Sequence, residues 1–333
     1  MTMMRPISRR SCMTGVLAGT ALAVPALRTR AADAIQLKFA TADTMQDTSY
    51  SVAQHFAAEV AQRTSGKYQM QLFVNGALGT ALNLANSLQT GILDCAILTA
   101  GFLESFIPTV QVIDLPFVFR DSAAAARVLD GTVGRGLFTD MEAKGIVGLE
   151  WGWYGWRQME TRERPVHSPD DLHGLKMRIQ PGPVFAAMFK AVGAIPVALD
   201  GTEVYLALSQ KTVDGLEFPL PTAVTFKVAE VTKYVATTNH VYNAGALMVS
   251  KLRWAQMTEA DRTAFREAGK AVLPYWRETI AKASDSAAGI LQQHGMQITS
   301  VDHAAFYKKM EPVFAEFRPK YQKLFDAVMA EQS

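Results

Sequence analysis

Two arginines carry the chemistry this sequence offers. Arg157 stands in Tyr154-Gly-Trp-Arg-Gln158 and Arg178 in Gly174-Leu-Lys-Met-Arg-Ile179, each ending an apolar, strand-like stretch. A guanidinium is expensive to bury, but held there by rigid backbone it can grip a carboxylate through two parallel hydrogen bonds. A third segment, Val213-Asp-Gly-Leu-Glu-Phe-Pro219, adds an acid and an aromatic ring. The combination points to a receptor for a small organic acid. A structural ion pair is the competing account of each arginine.

Reaction chemistry is sparse by contrast. The six histidines, at 55, 167, 173, 240, 294 and 303, form no His-Glu-x-x-His zinc pattern. His240 reads as a structural histidine. No Gly-x-Ser-x-Gly elbow occurs, Gly131, Gly134 and Gly136 do not match the dinucleotide fingerprint, and no phosphate loop is present. Cys95 lies in the apolar run Cys95-Ala-Ile-Leu98, where an inert buried thiol is expected. An organic-acid hydrolase or lyase is therefore the weaker account. No cofactor is expected, and the only metal candidate is a cation beside Glu217, for which a plain structural acceptor role is preferred.

The chain has 333 residues, 49% hydrophobic and 19% charged, as expected of an α/β protein with two cores. Its first 31 residues read as an export signal. Arg5, Arg9 and Arg10 precede an apolar stretch from about Met13 to Leu27, and Thr29-Arg-Ala31 offers small residues for cleavage. Ser8-Arg-Arg-Ser-Cys-Met13 resembles a twin-arginine signal, which predicts a periplasmic protein. That leader holds five of the 33 Lys+Arg and no acid, so the remainder carries 28 against 31 Asp+Glu, a net charge of −3. The whole-chain pI of 8.4 is then no argument for nucleic acid, and no basic stripe supports one. No apolar run reaches the roughly 18 to 20 residues of a membrane span.

The positioning elements follow from periodicity. Ile35–Ala40 and Tyr68–Val74 alternate like half-buried strands, and Cys95–Thr99 reads as a fully buried one. Helical spacing runs from Ser49 to Thr64 and towards Thr90, which predicts right-handed crossovers and a mostly parallel sheet. Further on, Ile146–Trp153 is expected as one strand and a second unit begins near Gly155, with strands about Gln158, at Lys176–Ile179 and at Ile195–Ala198. Helices are expected over Pro183–Val192, Thr202–Ser209 and Ala223–Val231, and strands over Tyr234–Val249. Thr258 to His294 reads as one long helix bent at Pro274, and Ala304–Glu331 as a final helix broken near Pro312 and Pro319.

Taken in order, these features resemble the substrate-binding proteins of tripartite ATP-independent periplasmic (TRAP) transporters. The marks are Gly76-Ala-Leu-Gly79, Asp114-Leu-Pro-Phe-Val-Phe119, Gly174-Leu-Lys-Met-Arg178, Glu203-Val-Tyr-Leu-Ala-Leu208, Val213-Asp-Gly-Leu-Glu217 and the long helix. The resemblance implies an α/β, two-domain Venus-flytrap fold with strands crossing between domains. The expected division is 32–154 plus about 243–283 for one domain and 155–242 plus about 284–333 for the other. The resemblance also implies Arg178 as the principal carboxylate clamp, Arg157 as a second basic contact, and delivery to TRAP membrane subunits. Presentation to a sensor kinase would use the same residues.

Departures from the family pattern bear on the ligand. Phe218 stands where many members have Asn, Thr99 where sialic acid binders place an acid, and Gly201 where they place an aromatic. Losing those polar partners argues against a many-hydroxyl sugar acid, since each hydroxyl needs a matched partner. Phe218 with Trp151, Trp153, Tyr154 and Trp156 suggests an apolar or aromatic body, such as a 2-oxo or 2-hydroxy acid. The expected ligand-binding set is Arg178, Arg157, Phe218, Glu217, Trp153, Tyr154, Thr99, Gln180 and Asn243.

Overall fold

The computed structural model describes residues 34–332, so the expected export signal lies outside the described residues. The chain opens with β1 (Ile35–Ala40), α1 (Thr48–Arg63), β2 (Tyr68–Phe73), α2 (Ala81–Thr90) and β3 (Cys95–Thr99). Both helices start at side-chain caps, Asp47 and Thr80, which accept from the Ser49 and Asn83 amides. The apolar stretch after β3 forms a 3-10 turn at Pro108–Ile113, followed by α3 (Ser122–Asp130) and α4 (Thr132–Ala143).

Next comes β4 (Ile146–Thr161), then β5 (Lys176–Ile179), α5 (Pro183–Ala191), β6 (Ile195–Ala198), α6 (Val204–Ser209), β7 (Gly215–Pro219) and α7 (Leu220–Thr225). The chain returns through β8 (Tyr234–Ala236) and β9 (Tyr242–Ser250), the latter buried at every position. It ends with α8 (Lys251–Ala255), α9 (Glu259–Gln293), β10 (Gln297–Thr299), α10 (His303–Lys309), α11 (Glu311–Phe317) and α12 (Gln322–Glu331).

The strands are ordered β2-β1-β3-β9-β4-β7-β5-β6, with β8 pairing β4 and β10. β1 is parallel to β2 and β3, and β5 is parallel to β6 and β7. β9 runs antiparallel between β3 and β4. Residues 146–156 of β4 pair with β9, whereas 157–161 pair with β7 and 159–161 with β8. One strand thus carries the chain from one set of strands to the other.

Here the sequence expectation needs correcting. Two strands were expected either side of Gly155, but a single 16-residue strand is present. Gly155 has φ +118° and sits where the register with β9 shifts between Trp153 and Trp156, so it makes a bulge rather than a break. A Cβ there would meet Pro219 at 2.9 Å. The helix expected over Ala223–Val231 is also shorter. It starts at Leu220 and ends at Thr225, and Lys227 at φ +55° turns the chain before a 3-10 turn at Val228–Glu230. β10 went unforeseen because three residues carry too little periodicity.

The 35-residue α9 runs unbroken through Pro274. Its N-terminus carries a capping box, Thr258 with Asp261. Its buried face, including Phe265, Val272, Trp276 and Ile280, packs with α1 and the first strands. Gly152 of β4 allows this approach, since a Cβ there would lie 2.2 Å from the Trp276 ring.

Candidate functional site

The carboxyl ends of β1, β3, β5 and β7 surround one cavity, the position where α/β sheets usually hold ligands. About 400 Å³ there is empty of protein atoms, part of it open solvent beyond the mouth. Seven of the nine expected residues line it: Arg178, Arg157, Phe218, Tyr154, Thr99, Gln180 and Asn243.

Arg178 is the penultimate residue of β5, among side chains that bury it completely. Its Nε donates to the Leu199 carbonyl at 2.9 Å, which fixes the plane of the guanidinium. Neither terminal nitrogen has a hydrogen-bond partner among the described residues. The Phe218 ring lies beneath it, 5.0 Å from the guanidinium carbon. Burial pulls this guanidinium down to about 10, with Glu217 opposing and Arg157 adding to the shift. It therefore stays cationic at neutral pH with two donors unspent.

Arg157 is held differently. Its Nε donates to the Glu217 carboxylate and its terminal nitrogen to the Glu217 carbonyl. Burial alone would push Glu217 up, but Arg157 and His240, whose Nε2 lies 3.8 Å away, outweigh it and hold this carboxyl below its ordinary value. His240 itself is pulled down by burial, and its Nδ1 lies 2.8 Å from the Thr238 hydroxyl. Glu217 stands behind Arg157 as its counter-ion and is not a lining residue. Among the described residues, no group of three or more His, Cys, Asp or Glu could hold a metal ion.

Trp153 is a correction. Alternation along β4 sends Tyr154 to the cavity and Trp153 elsewhere, stacked on Tyr242 at 5.2 Å. The other indoles are also committed: Trp151 stacks on Phe138 and donates to the Gly134 carbonyl, and Trp156 donates to Ser122. The aromatic flank of the cavity comes instead from Phe102, Phe218, Phe226 and the Tyr154 ring.

Opposite sides of the cavity are joined by direct hydrogen bonds. Thr99 donates to Gln180 at 2.5 Å, and away from the lining the Ala81 amide at the start of α2 donates to Asp200 at 2.8 Å. Nε2 of Gln180 and Oδ1 of Asn243 remain without partners. Sequence reasoning missed Asp43, which also lines the cavity. Burial pushes its carboxyl up, while hydrogen bonds from Thr41, Ser49 and Tyr154 pull it back. A signal was available, because Thr41-Ala-Asp43 directly follows the carboxyl end of β1.

The cavity at the strand ends of this α/β fold thus presents a buried guanidinium whose terminal nitrogens have no partner among the described residues. The sequence matches the family model for bacterial extracellular solute-binding protein, family 7, over residues 39–320. The chain belongs to that family, the substrate-binding proteins of TRAP transporters. A solute-binding protein of Verminephrobacter eiseniae is 35% identical over 282 residues, 84% of either chain. A TRAP periplasmic solute-binding protein from Bordetella, with density assigned as pantoate, superposes with a TM-score of 0.86. It is 32% identical and covers 90% of this chain and 98% of its own. One from Polaromonas sp. JS666, bound to D-erythronate, gives 0.87 at 31% identity, with the same coverage.

Proposed function

We propose that this protein is a periplasmic receptor that captures a small monocarboxylate on Arg178 and hands it to TRAP membrane subunits. The observation that carries this reading is the fully buried Arg178, anchored through Nε while both terminal nitrogens lack partners. Leaving such donors unmet is unfavourable, and a carboxylate would meet both. Each charge-assisted hydrogen bond contributes about 1.5–3 kcal/mol. Burial of the ligand's carbon body against Phe102, Phe218 and Phe226 adds about 25 cal/mol per Å².

The ligand class is a short acid with an apolar flank and few hydroxyls. Pantoate, the acid assigned in one related structure, has such a flank; erythronate, bound in the other, shares the four-carbon monocarboxylate chain but carries three hydroxyls. The halves 32–154 with 243–283 and 155–242 with 284–333 act as the two lobes. They hinge where β4 and β9 pass between them, near Gly155 and Asn243. The role is binding, not turnover. Thermal-shift screening of carboxylates tests the reading: short hydroxy or oxo acids should raise Tm with no product formed. A Tm unmoved by every carboxylate would refute it.

A further inference from the structure

Asp43 offers the cavity one unspent acceptor. Its Oδ2 already receives three donors: the hydroxyls of Thr41 at 2.7 Å, Ser49 at 2.8 Å and Tyr154 at 2.9 Å. Among the described residues no donor reaches Oδ1, and none of the ion pairs involves Asp43. The neighbouring acids are spent. Asp47 accepts from the Ser49 amide and from Thr225, and Asp200 from Ala81 and Thr202. Asp43 follows β1, whereas Arg178 lies in β5 in the other group of strands, so the same cavity presents free donors and a free carboxylate oxygen from separate elements.

We propose that Asp43 Oδ1 is a specificity determinant that accepts a hydrogen bond from a hydroxyl of the bound acid, away from its carboxylate. A hydroxyl brings one donor to one free acceptor. An ammonium would bring three, and among the described residues the lining adds to Asp43 only one other buried, unpartnered side-chain acceptor oxygen, Asn243 Oδ1. The inference rests on the carboxylate reading and narrows it to hydroxylated monocarboxylates. A half-spent carboxylate next to an apolar flank penalises an acid that lacks the hydroxyl, because its oxygen would then be desolvated without a partner.

The test is isothermal titration of pantoate (2,4-dihydroxy-3,3-dimethylbutanoate) against 2-hydroxy-3,3-dimethylbutanoate, which lacks only the terminal hydroxyl. The wild-type protein should bind pantoate about tenfold to a hundredfold more tightly. Asp43→Ala should reduce that preference to under about threefold, while Arg178→Lys should weaken both acids alike. Asp43→Asn, which keeps the volume, should give an intermediate loss confined to pantoate, and it serves if the alanine variant does not fold. No preference in the wild type, or one that survives in Asp43→Ala, overturns the inference and leaves the carboxylate reading intact. Tighter binding of 4-amino-2-hydroxybutanoate than of pantoate overturns the hydroxyl assignment. If neither acid binds the wild type, the carboxylate reading fails and this inference fails with it.

Discussion

Arg157 and Arg178 are chemically identical and almost equally buried, but their surroundings assign them different work. Arg157, on the strand that links the two groups of strands, faces Glu217 and the Glu217 carbonyl. Arg178, two strands further along the sheet, meets only the Leu199 carbonyl. A buried cation with an internal counter-ion is part of the architecture. One without a counter-ion is, in the proposed function, completed by an anion from outside. Burial and charge are shared, so the distinction rests on what the guanidinium fork touches.

The largest effect should come from the architectural arginine. Glu217→Ala strands the Arg157 charge in a fully buried site and should lower the unfolding free energy by about 3–5 kcal/mol. Chemical denaturation would read this, and the double change Arg157→Met with Glu217→Leu should recover most of the loss. Little change in Glu217→Ala would mean that the pair is not what holds β4 to β7.

The receptor arginine should show the reverse pattern. Arg178→Lys keeps the charge and loses the planar fork, so binding of pantoate should weaken by about ten- to a hundredfold. Its unfolding free energy should fall by no more than about 1 kcal/mol, because the one internal hydrogen bond lost is that from Nε to the Leu199 carbonyl. Calorimetry and denaturation on the same sample would separate the two arginines. A stability loss as large as that of Glu217→Ala would erase the contrast.

Titration sharpens the same comparison. Glu217, paired, has its carboxyl held below the ordinary value, so its contribution is full above the ordinary carboxylate range and lost as pH falls below it. Asp114 and Asp47 carry no such pairing, and burial raises each from 3.8 to about 7. Their protonated forms suit the folded state, so this stability is full below the ordinary carboxylate range and lost as pH rises through about 7. Burial drives Glu160 and Glu104 in the same direction. Tm of the ligand-free protein should therefore fall between pH 5 and pH 8, and a rise over that interval would contradict the assignment.

The smallest expected effect concerns the ring beneath the receptor arginine. Phe218→Leu removes a cation–π contact of 5.0 Å and should weaken acid binding a few-fold, about 0.5–1 kcal/mol.

Much of this was legible before any coordinates. The β-α-β opening, the long capped helix and both arginines follow from periodicity, caps and the cost of burying charge. Other features needed three dimensions. Trp153 looked like ligand-facing aromatic surface because composition cannot say which face of β4 meets Tyr242. Gly155 read as a break because a glycine in a bulge and one in a turn look alike in sequence. Asp43 was overlooked because its place after β1 does not reveal its three donors, one of them Tyr154, 111 residues away.

A crystal structure of the protein soaked with pantoate addresses the central claim directly. The account predicts one carboxylate oxygen within about 2.7–2.9 Å of each terminal nitrogen of Arg178, with Arg157 still on Glu217. A carboxylate seated elsewhere, with the Arg178 fork left to water, would contradict it.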